Sequence, residues 1–548
     1  MKLKRIPSLI VILLLTSCSG VSPSGNRRSG SSSNKGVSGS SKPTLIPTSS
    51  TTYVPHTGSN PFPTTSASVT PPVTDITAIP VNFTAFNDFH GQLDESGDYV
   101  GLAKLSTYLK DKKANGNIII NSGDLYQGSF LCNYDKGQLA SYAFKYIGVD
   151  VHTIGNHEFD WGVNSILDNQ LALEQNFLGA NIYDYPKTGS EWHKADLGQE
   201  YKIINLYEGT EYEVKVGVIG VIGKDQITSI TSLNTTNQIF LDPNPIVKSL
   251  SRKLRTEEEC DFVIASYHAD DPDMSIADID TSTGKPYVDA CFLAHTHQFQ
   301  DSMSNGVPFL QAGAYSEGAS NVSFTFNKVT GVKTLVSEGN VYLAGEGLTP
   351  DPVVEDIIDD AKEKQYDKFH TVIGTNTTGG QINTGSMSKF YAKISYEQAL
   401  IEAPTYNTVG AMFNYSRRSL KAGDFTFSDL FETHPFLNGL YIFSVSESNI
   451  RTEMDYGIYG YIDPSVSIGH SDDVYHDIIV FDYIGFHIGV NSNYEKYYNY
   501  FPSAFSASAE HEPYKLGFDC FHLALDWLEV HHNIANSDIS GNGFFGGY

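Results

Sequence analysis

Five short segments of this sequence each hold side chains that can bind metal ions or move protons. They are Asp88-Phe89-His90-Gly91, Gly123-Asp124, Gly155-Asn156-His157-Glu158-Phe159-Asp160, Tyr267-His268 and Ala294-His295-Thr296-His297. Carboxylate and amide oxygens with imidazole nitrogens, and no thiolate, form a donor set that suits Mn, Zn or Fe. In the third segment, His157 can donate to a phosphoryl oxygen, and Asp160 is close enough in sequence to orient it.

Each segment follows or ends a stretch that its apolar, β-branched pattern predicts to be a strand. These stretches are residues 81–86, 118–120, 149–154, 261–268 and 288–294. Because side chains repeat every second residue along a strand, we expect the Asp-x-His and His-x-His pairs each to share one face. Taken singly, the pairs also fit a solvated surface, Asp124 fits a helix cap, and His268 fits a structural role.

In this order, the segments resemble the metallophosphoesterase core of the secreted 5′-nucleotidase family. The family pattern is D-x-H-G, G-D, G-N-H-E-F-D, a strand ending in His, and G-H-x-H. The likeness covers residues 79–346, and Ala294, which stands where the family usually has Gly, removes no ligand. The resemblance implies an α/β fold: a four-layer α/β/β/α sandwich with the site at the strand ends, followed by a smaller α/β substrate-binding domain.

The resemblance also implies two divalent metal ions and assigns their ligands. Asp88, His90 and His297 would hold the first metal, Asn156, His268 and His295 the second, and Asp124 would bridge both. His157 would contact the phosphoryl group, and Asp160 would orient its imidazole. A hydroxide bridging the two metals would attack phosphorus in line, so no Ser or Cys nucleophile is needed.

The second domain resembles the family's substrate-binding domain less closely. Phe436 and Tyr483 stand where the family has a pair of base-stacking aromatic residues, and Arg417 stands where its N-G-G-G-I-R turn ends. The glycines of that turn are replaced by residues 412–415, and the later G-G-D-G-Y signature is missing near residues 485–489. Bulky replacements reshape a pocket that glycine backbone would approach closely. The two aromatic residues fit an ordinary core equally well.

The first 78 residues predict export and attachment to a membrane. Residues 1–5 are basic and residues 9–15 are apolar, which is typical of a signal peptide and too short to span a bilayer. Leu15-Thr16-Ser17-Cys18 resembles the bacterial lipobox, which implies a lipid on Cys18; an ordinary signal peptide is the alternative. Residues 19–78 are rich in Ser, Thr, Gly and Pro, which predicts a flexible stalk. We therefore expect a lipid-anchored protein at the cell membrane, facing outside the cytoplasm.

Length and charge limit the number of domains and the kinds of partner that the protein can have. The chain has 548 residues, too many for one ordinary core, and a net charge of -27, which argues against binding a nucleic-acid polymer. We expect a catalytic domain over residues 79–349, an amphipathic interdomain helix over 350–373 and a substrate-binding domain over 374–548. Cys132, Cys260, Cys291 and Cys520 show no framework spacing, and pairing stays open. Cys260 and Cys291 lie in or beside predicted strands, which is more typical of small buried residues than of metal ligands.

Together these patterns predict a metal-dependent phosphoric ester hydrolase that releases phosphate from 5′-nucleotides. Two alternatives use the same metals: a 2′,3′-cyclic phosphodiesterase and a nucleotide-sugar hydrolase. An alternative of another class is a surface binding protein or adhesin that kept the fold and lost activity, which the altered second domain suggests. In every enzymatic alternative the partner is a small phosphorylated molecule.

Overall fold

The computed structural model describes residues 60–63, 73–270, 272–455, 457–486, 488–498 and 513–546. The predicted signal peptide over residues 1–18, with Cys18, lies outside the described residues, as does most of the predicted stalk over residues 19–78. In these described ranges, no helix is both long enough and apolar enough to cross a membrane.

The first domain alternates strands with helices, as its buried β-branched runs predict. Its strands are β1 (Ile79–Phe86), β2 (Asn117–Asn121), β3 (Val151–His152), β4 (Ile182–Asp184), β5 (Tyr201–Leu206), β6 (Val214–Ile222), β7 (Gln238–Phe240), β8 (Phe262–His268), β9 (Ile279–Asp280), β10 (Lys285–Pro286), β11 (Ala290–Ala294), β12 (Phe299–Ser304), β13 (Val307–Ala312), β14 (Gly318–Asn327) and β15 (Val332–Tyr342). Its helices are α1 (Gly101–Ala114), α2 (Phe130–Tyr134), α3 (Gln138–Ile147), α4 (Val163–Leu173) and α5 (Pro243–Thr256), and α6 (Pro352–Glu363) and α7 (Tyr366–His370) lead to the second domain.

Two sheets carry the predicted ligand segments. The first has the order β15-β14-β1-β2-β3, with β1, β2 and β3 parallel. The second has the order β12-β13-β11-β8-β6-β5, with β6, β8, β11 and β13 parallel. Since parallel strands end at the same edge of a sheet, the loops that follow them collect along that edge, where ligands bind in such sheets.

The sheets pack face to face and are covered by helices on their outer sides. Between them, the ring of Phe83 on β1 lies 6.4 Å from those of Phe262 on β8 and Phe292 on β11. Helices α1, α3 and α4 share an apolar cluster with the outer face of the first sheet, and α5 does so with the second. These four layers confirm the predicted α/β/β/α fold class.

The second domain is a smaller α/β unit. Its strands are β16 (Val372–Asn376), β17 (Thr408–Phe413), β18 (Gly423–Thr426), β19 (Gly439–Ser446), β20 (Tyr459–Ile462), β21 (Tyr475–Phe481), β22 (Ile488–Val490), β23 (Lys496–Tyr498), β24 (Tyr514–Asp519), β25 (Asn533–Ile534) and β26 (Phe544–Phe545). Its helices are α8 (Thr384–Glu402), α9 (Phe427–Phe431), α10 (Glu447–Asp455), α11 (Asp482–Gly485) and α12 (Cys520–His531). A six-stranded sheet of order β24-β19-β21-β17-β20-β26 packs against α8 and α12.

Several boundaries differ from those predicted. The interdomain segment 350–373 contains two helices, α6 and α7, in place of one. Strand β3 has two residues, and just before it the Asp150 carboxylate accepts the Ile119 amide at 2.8 Å. Phe62, within the predicted stalk, is buried with its ring 5.2 Å from that of Tyr146. Phe62 therefore packs on the folded domain, which the Ser- and Pro-rich composition around it did not predict.

The four cysteines in the described part of the chain are free and buried. Burial raises the pKa of the Cys291 and Cys520 thiols above the usual value. A buried thiol held in its neutral form is a small core residue, which confirms the role predicted for Cys260 and Cys291.

Candidate metal centre and active site

The predicted metal ligands all lie at the carboxyl ends of parallel strands. Asp88 and His90 follow β1, Asp124 follows β2, Asn156 follows β3, His268 ends β8, and His295 and His297 follow β11. The last two are half-buried and the other five are buried. Packing of the two sheets brings together residues as far apart in sequence as His90 and His297, whose Nε2 atoms are 3.0 Å apart.

The ligand side chains form two groups, within each of which the ligand atoms lie within 4.8 Å of one another. Asp88, His90 and His297 form the first group, and Asp124, His268 and His295 form the second. Asp124 also forms such a group with His90 and His157, so its carboxylate lies between the two. Asn156 joins the second group, since its Oδ1 is 3.1 Å from His268 Nε2. The structure thus brings all seven predicted ligands to one centre.

Backbone carbonyls hold two of the imidazoles in one tautomer. His90 donates its Nδ1–H to the Gln127 carbonyl at 3.0 Å, and His268 donates its Nδ1–H to the Ser122 carbonyl at 2.9 Å. When either imidazole is neutral, its single N–H is on Nδ1, which leaves an Nε2 lone pair directed into the centre for a cation. Fixing the outer nitrogen in this way is the usual support of a metal-binding histidine.

Asp124 shows that the centre requires positive charge. Its Oδ2 has no hydrogen-bond partner among the described residues, although His268 Nε2 is 3.2 Å away and His90 Nε2 is 3.9 Å away. Burial opposes a charge on His268, but the Asp124 carboxylate raises its pKa to about 9. Divalent cations would supply the positive charge that the Asp124 carboxylate needs, and carboxylate, amide and imidazole donors suit Mn, Zn or Fe. The residues present therefore fit two metal ions.

The backbone of the ligand loops takes a conformation that residues other than glycine rarely adopt. The φ angle is +47° at Asp88, +49° at His90, +56° at Asp124, +87° at His295 and +57° at His297. Each such residue costs roughly 1–3 kcal/mol, and such strain collects at functional sites. The extended geometry that we expected for the two pairs is therefore wrong: both lie in tight loops, and His295 and His297 fall into different ligand groups.

Glu158 is a positioning residue to which the sequence analysis gave no role. Its buried carboxylate accepts hydrogen bonds from the amides of Asp124 at 3.0 Å, Gly155 at 2.6 Å and Leu125 at 2.7 Å. It thereby ties the loop after β2 to the loop after β3. The sequence places Glu158 beside His157, but nothing local shows that it bonds to a loop more than thirty positions away.

Asp270 is a second residue that the sequence analysis missed. Its Oδ1 lies 3.3 Å from His295 Nε2, and its Oδ2 accepts a hydrogen bond from Gln226 at 2.8 Å. His295 Nδ1 is buried and has no hydrogen-bond partner in the part of the chain described, so it is the nitrogen left for a metal. A carboxylate behind a metal-binding histidine fixes its tautomer and strengthens the ligand. The only clue in the sequence is the position of Asp270 two residues after His268.

His157 lies beside the ligands with both ring nitrogens engaged. Its Nδ1 donates to Asp160 Oδ2 at 2.7 Å, and its Nε2 accepts from the Arg417 guanidinium at 2.8 Å. Its backbone amide donates to Asp124 Oδ1 at 2.8 Å. Burial opposes a charge on His157, but Asp160 outweighs it, and the pKa of His157 lies above its usual value. Asp160 both orients the ring and favours its protonated form.

A cleft of about 710 Å³ opens between the two domains beside His157. Arg417, Phe436 and Tyr483, the three residues predicted to bind substrate, all line it. The Phe436 ring lies 6.2 Å from that of His157, with the planes 27° apart, and 5.1 Å from the Arg417 guanidinium carbon. Tyr483 lies on α11 and also packs on the core of its domain, with its ring 6.3 Å from that of Phe481.

Sequence comparison connects this arrangement to known enzymes. Residues 81–299 match the family model described as calcineurin-like phosphoesterase. The chain is 26% identical over 431 residues to an apyrase of Tabanus yao, covering 69% of this chain and 73% of the apyrase. It is 27% identical over 298 residues to a snake venom 5′-nucleotidase of Naja atra, covering 49% of this chain and about half (54%) of that protein.

Structural comparison extends the likeness through the second domain. A 5′-nucleotidase precursor from Thermus thermophilus has a TM-score of 0.64 with 15% sequence identity, covering 83% of this chain and 97% of that one. At that identity the comparison establishes a shared two-domain fold. The matched family uses two divalent metal ions, and the two groups of Asp and His ligands lie within the matched residues. Residues 81–299 are therefore a calcineurin-like phosphoesterase domain, the chain as a whole is similar to 5′-nucleotidases and an apyrase, and the protein is a metal-dependent phosphoester hydrolase.

Proposed function

We propose that this protein releases phosphate from 5′-nucleotides by metal-dependent hydrolysis. The observation that carries the proposal is the contact of His157 with both Arg417 and Phe436 directly beside the metal ligands. A phosphoryl group at the ligands would meet an imidazole and a guanidinium, while the attached nucleoside would enter an aromatic-lined cleft. Relatives named as 5′-nucleotidase and apyrase support a nucleotide as the substrate.

The chain's own residues would bind and orient the phosphoryl group. Two divalent cations, when bound by the seven ligands, supply activated water and neutralise charge on phosphoryl oxygens. His157, charged with the help of Asp160, would donate from Nε2 to an oxygen of the phosphate ester. Arg417 would turn its guanidinium from His157 to a second phosphoryl oxygen, where its planar N–H groups match the anion. Phe436 and Tyr483 would hold the base by stacking, which makes little demand on base identity.

The direct test is phosphate release from AMP by the purified full-length protein, with added manganese and with a chelated control. We expect release only when metal is present. His157→Ala should keep the metal ions and lower kcat by about 100-fold or more, the contribution of a positioned proton donor. Asp124→Ala should lower the affinity for both metals, whereas His193→Ala, which changes an exposed histidine of the same domain, should alter neither property. Turnover in the chelated sample, or normal turnover in His157→Ala or Asp124→Ala, would contradict the proposal.

We also propose that lipid on Cys18 anchors the protein to a membrane, facing outside the cytoplasm. The sequence Leu15-Thr16-Ser17-Cys18 after an apolar run supports it. In cells fed radiolabelled palmitate, the full-length protein should carry label and sediment with membranes. Cys18→Ser should lose the label and leave the membrane fraction. A Cys18→Ser protein that stays labelled would place the lipid elsewhere and refute this assignment.

A further inference from the structure

Helix α2 belongs to the first domain, yet one of its side chains lies in the core of the second. Phe130 is 2% exposed and is part of the apolar cluster that also contains residues of α8, α9 and α12. Its ring lies 5.4 Å from each of the rings of Phe369, Phe427 and Phe431. Aromatic pairs at roughly 4.5–7 Å attract each other beyond the area that they bury. The second domain is therefore held at a defined point on α2.

Asn133, one turn further along α2, is hydrogen-bonded to both domains. Its Oδ1 accepts the Gly128 amide at 2.8 Å, and its Nδ2 donates to the Pro435 carbonyl at 3.0 Å. The side chain is buried, and a buried polar group that loses its partner is costly. Asn133 therefore fixes the distance between the Gly128 backbone in one domain and the Pro435 backbone in the other. We call Phe130 and Asn133 the α2 bridge.

In the first domain, the α2 bridge ends at the metal ligands. Gly128 lies so close to the backbone of His90 that an added Cβ would be 1.8 Å from the His90 carbonyl oxygen. Gln127, the residue before it, accepts the Nδ1–H of His90 through its own carbonyl at 3.0 Å. Both residues belong to the loop after β2, which also carries Asp124. The position of Gly128 is therefore tied to the positions of the ligands.

In the second domain, the α2 bridge ends at the turn that carries Phe436. Pro435 directly precedes Phe436, and Asn438, two positions after that ring, donates from Nδ2 to Asp482 Oδ1 at 2.5 Å. Tyr483 directly follows Asp482 on α11. A hydrogen bond to a carboxylate is stronger than one between two neutral groups. The turn therefore connects both aromatic residues of the cleft to the α2 bridge.

We propose that Phe130 and Asn133 are positioning residues, which set the distance from the metal centre that holds the phosphoryl group to Phe436 and Tyr483, which stack on the base. This inference rests on the proposed function, since a nucleotide must span the two sites. A substrate held at both ends reacts only when the sites are correctly spaced, and an error of about 1 Å costs about 100-fold in rate. A phosphate ester without a base meets only the metal centre, so its hydrolysis does not depend on the α2 bridge.

Asn133→Asp separates the two hydrogen bonds of Asn133. An ionised carboxylate, the form that the Gly128 amide favours, still accepts from that amide but cannot donate to the Pro435 carbonyl. The loop that carries Asp124 should therefore stay in place, whereas the turn that carries Phe436 is released. With the full-length, metal-loaded protein, we expect unchanged manganese content and a loss of about 10-fold or more in kcat/KM for AMP. Ribose 5-phosphate has the same kind of phosphate ester and no base, so its kcat/KM should change by less than about twofold.

A double-mutant cycle with Phe436→Ala tests whether Asn133 acts through that ring. If the α2 bridge works by placing Phe436, Asn133→Asp should lower kcat/KM for AMP by about 10-fold in the wild-type background and by about threefold at most in the Phe436→Ala background. A merely structural defect would lower kcat/KM by the same factor in both backgrounds. The cycle uses AMP alone, so it does not depend on the rate with ribose 5-phosphate.

Phe130→Leu is the second variant, since it keeps an apolar side chain in the core of the second domain and removes the ring contacts. It should lower kcat/KM for AMP more than for ribose 5-phosphate, and thermal unfolding reports whether it is folded. If Asn133→Asp does not fold, Phe130→Leu takes its place in the cycle with Phe436→Ala. Asn164→Asp is the matched control, because it makes the same substitution at an exposed residue of α4. The control should change the kinetics of neither substrate.

The outcomes separate this inference from the proposed function. A wild-type protein that holds its metals and releases no phosphate from AMP would overturn the proposed function, and the role of the α2 bridge with it. If the wild-type protein hydrolyses AMP, equal losses on AMP and ribose 5-phosphate in the folded variants would overturn the α2 bridge alone. Unchanged AMP kinetics in both variants, or an undiminished loss in the Phe436→Ala background, would overturn it as well.

Discussion

Replacing Gly155 with alanine should displace Asp124, the ligand that lies between the two metal groups. An added Cβ would lie 2.3 Å from Asp124 Oδ1, 2.7 Å from the Asp124 amide nitrogen and 2.7 Å from His268 Cε1. Real Cβ atoms essentially never come closer than 3.0 Å to another heavy atom, so the carboxylate must retreat by about 0.7 Å. Metal–ligand distances tolerate roughly 0.2 Å, so the expected displacement is several times larger.

Three measurements on Gly155→Ala check this reasoning: metal content after dialysis, kcat on a nucleoside monophosphate, and thermal unfolding. We expect weaker metal binding and a loss of about 100-fold in kcat, the effect of misplacing a catalytic group by roughly 1 Å. Overpacking should lower the free energy of unfolding by about 1–3 kcal/mol. Gly345→Ala is the control, because a Cβ there meets nothing within 4 Å. Wild-type metal content and turnover in Gly155→Ala would refute the argument that this contact sets the position of Asp124.

Three further predictions test other contacts. Asp270→Ala should weaken manganese binding in equilibrium dialysis by about 10-fold, because His295 loses its supporting carboxylate; Asp225→Ala, at an exposed carboxylate beside Lys224, should bind manganese normally. Arg417→Met should keep its metal ions and lower kcat/KM on AMP by about 10-fold or more, because a charged hydrogen-bond donor is lost; loss of metal would contradict its assignment to substrate. Asp289→Asn should lower the free energy of unfolding in urea at pH 7 by about 3–5 kcal/mol, because Arg255, 2% exposed, loses its buried partner. Although burial opposes ionisation of Asp289, Lys333 and Arg255 hold its pKa below its usual value of 3.8. The stabilisation from ionised Asp289 is therefore complete above pH 3.8 and is lost as the pH falls through the lower pKa of Asp289 in the folded state. A difference in unfolding free energy between wild type and Asp289→Asn that does not shrink in acid would contradict the assignment.

Local rules predicted the ligand positions because each ligand follows a strand that its own residues specify. The run Ile118-Ile119-Ile120 forms the buried centre of β2, which ends three positions before Asp124. The same rules failed on backbone detail, since periodicity describes extended chain and the loops after β1 and β11 are left-handed at their ligands. Gly123 shows what those loops require: with φ at +104°, a Cβ there would lie 2.6 Å from His268 Nδ1.

Contacts between distant loops could not be read from the sequence in the same way. Arg417 reaches His157 across 260 positions, and Glu158 bonds to Asp124 and Leu125 through backbone amides that carry no side-chain pattern. Asp270 supports His295 from a loop whose composition is that of any exposed segment. Such partners follow from the packing of strands and domains, which hydrophobic periodicity specifies only in outline.

The same distinction explains why the family pattern holds in the first domain and fades in the second. Around Asp124, the loops approach so closely that a single methyl at Gly155 would collide with the ligand. In the second domain, the residues that replace the glycine turn divide between two roles. Met412 and Phe413 are buried core residues of β17, whereas Asn414 and Tyr415 line the cleft beside His157. The altered turn therefore changes the second-domain wall of this cleft without touching the proposed metal ligands. If the cleft holds the substrate as we propose, changes in this turn should alter substrate choice and leave metal binding intact.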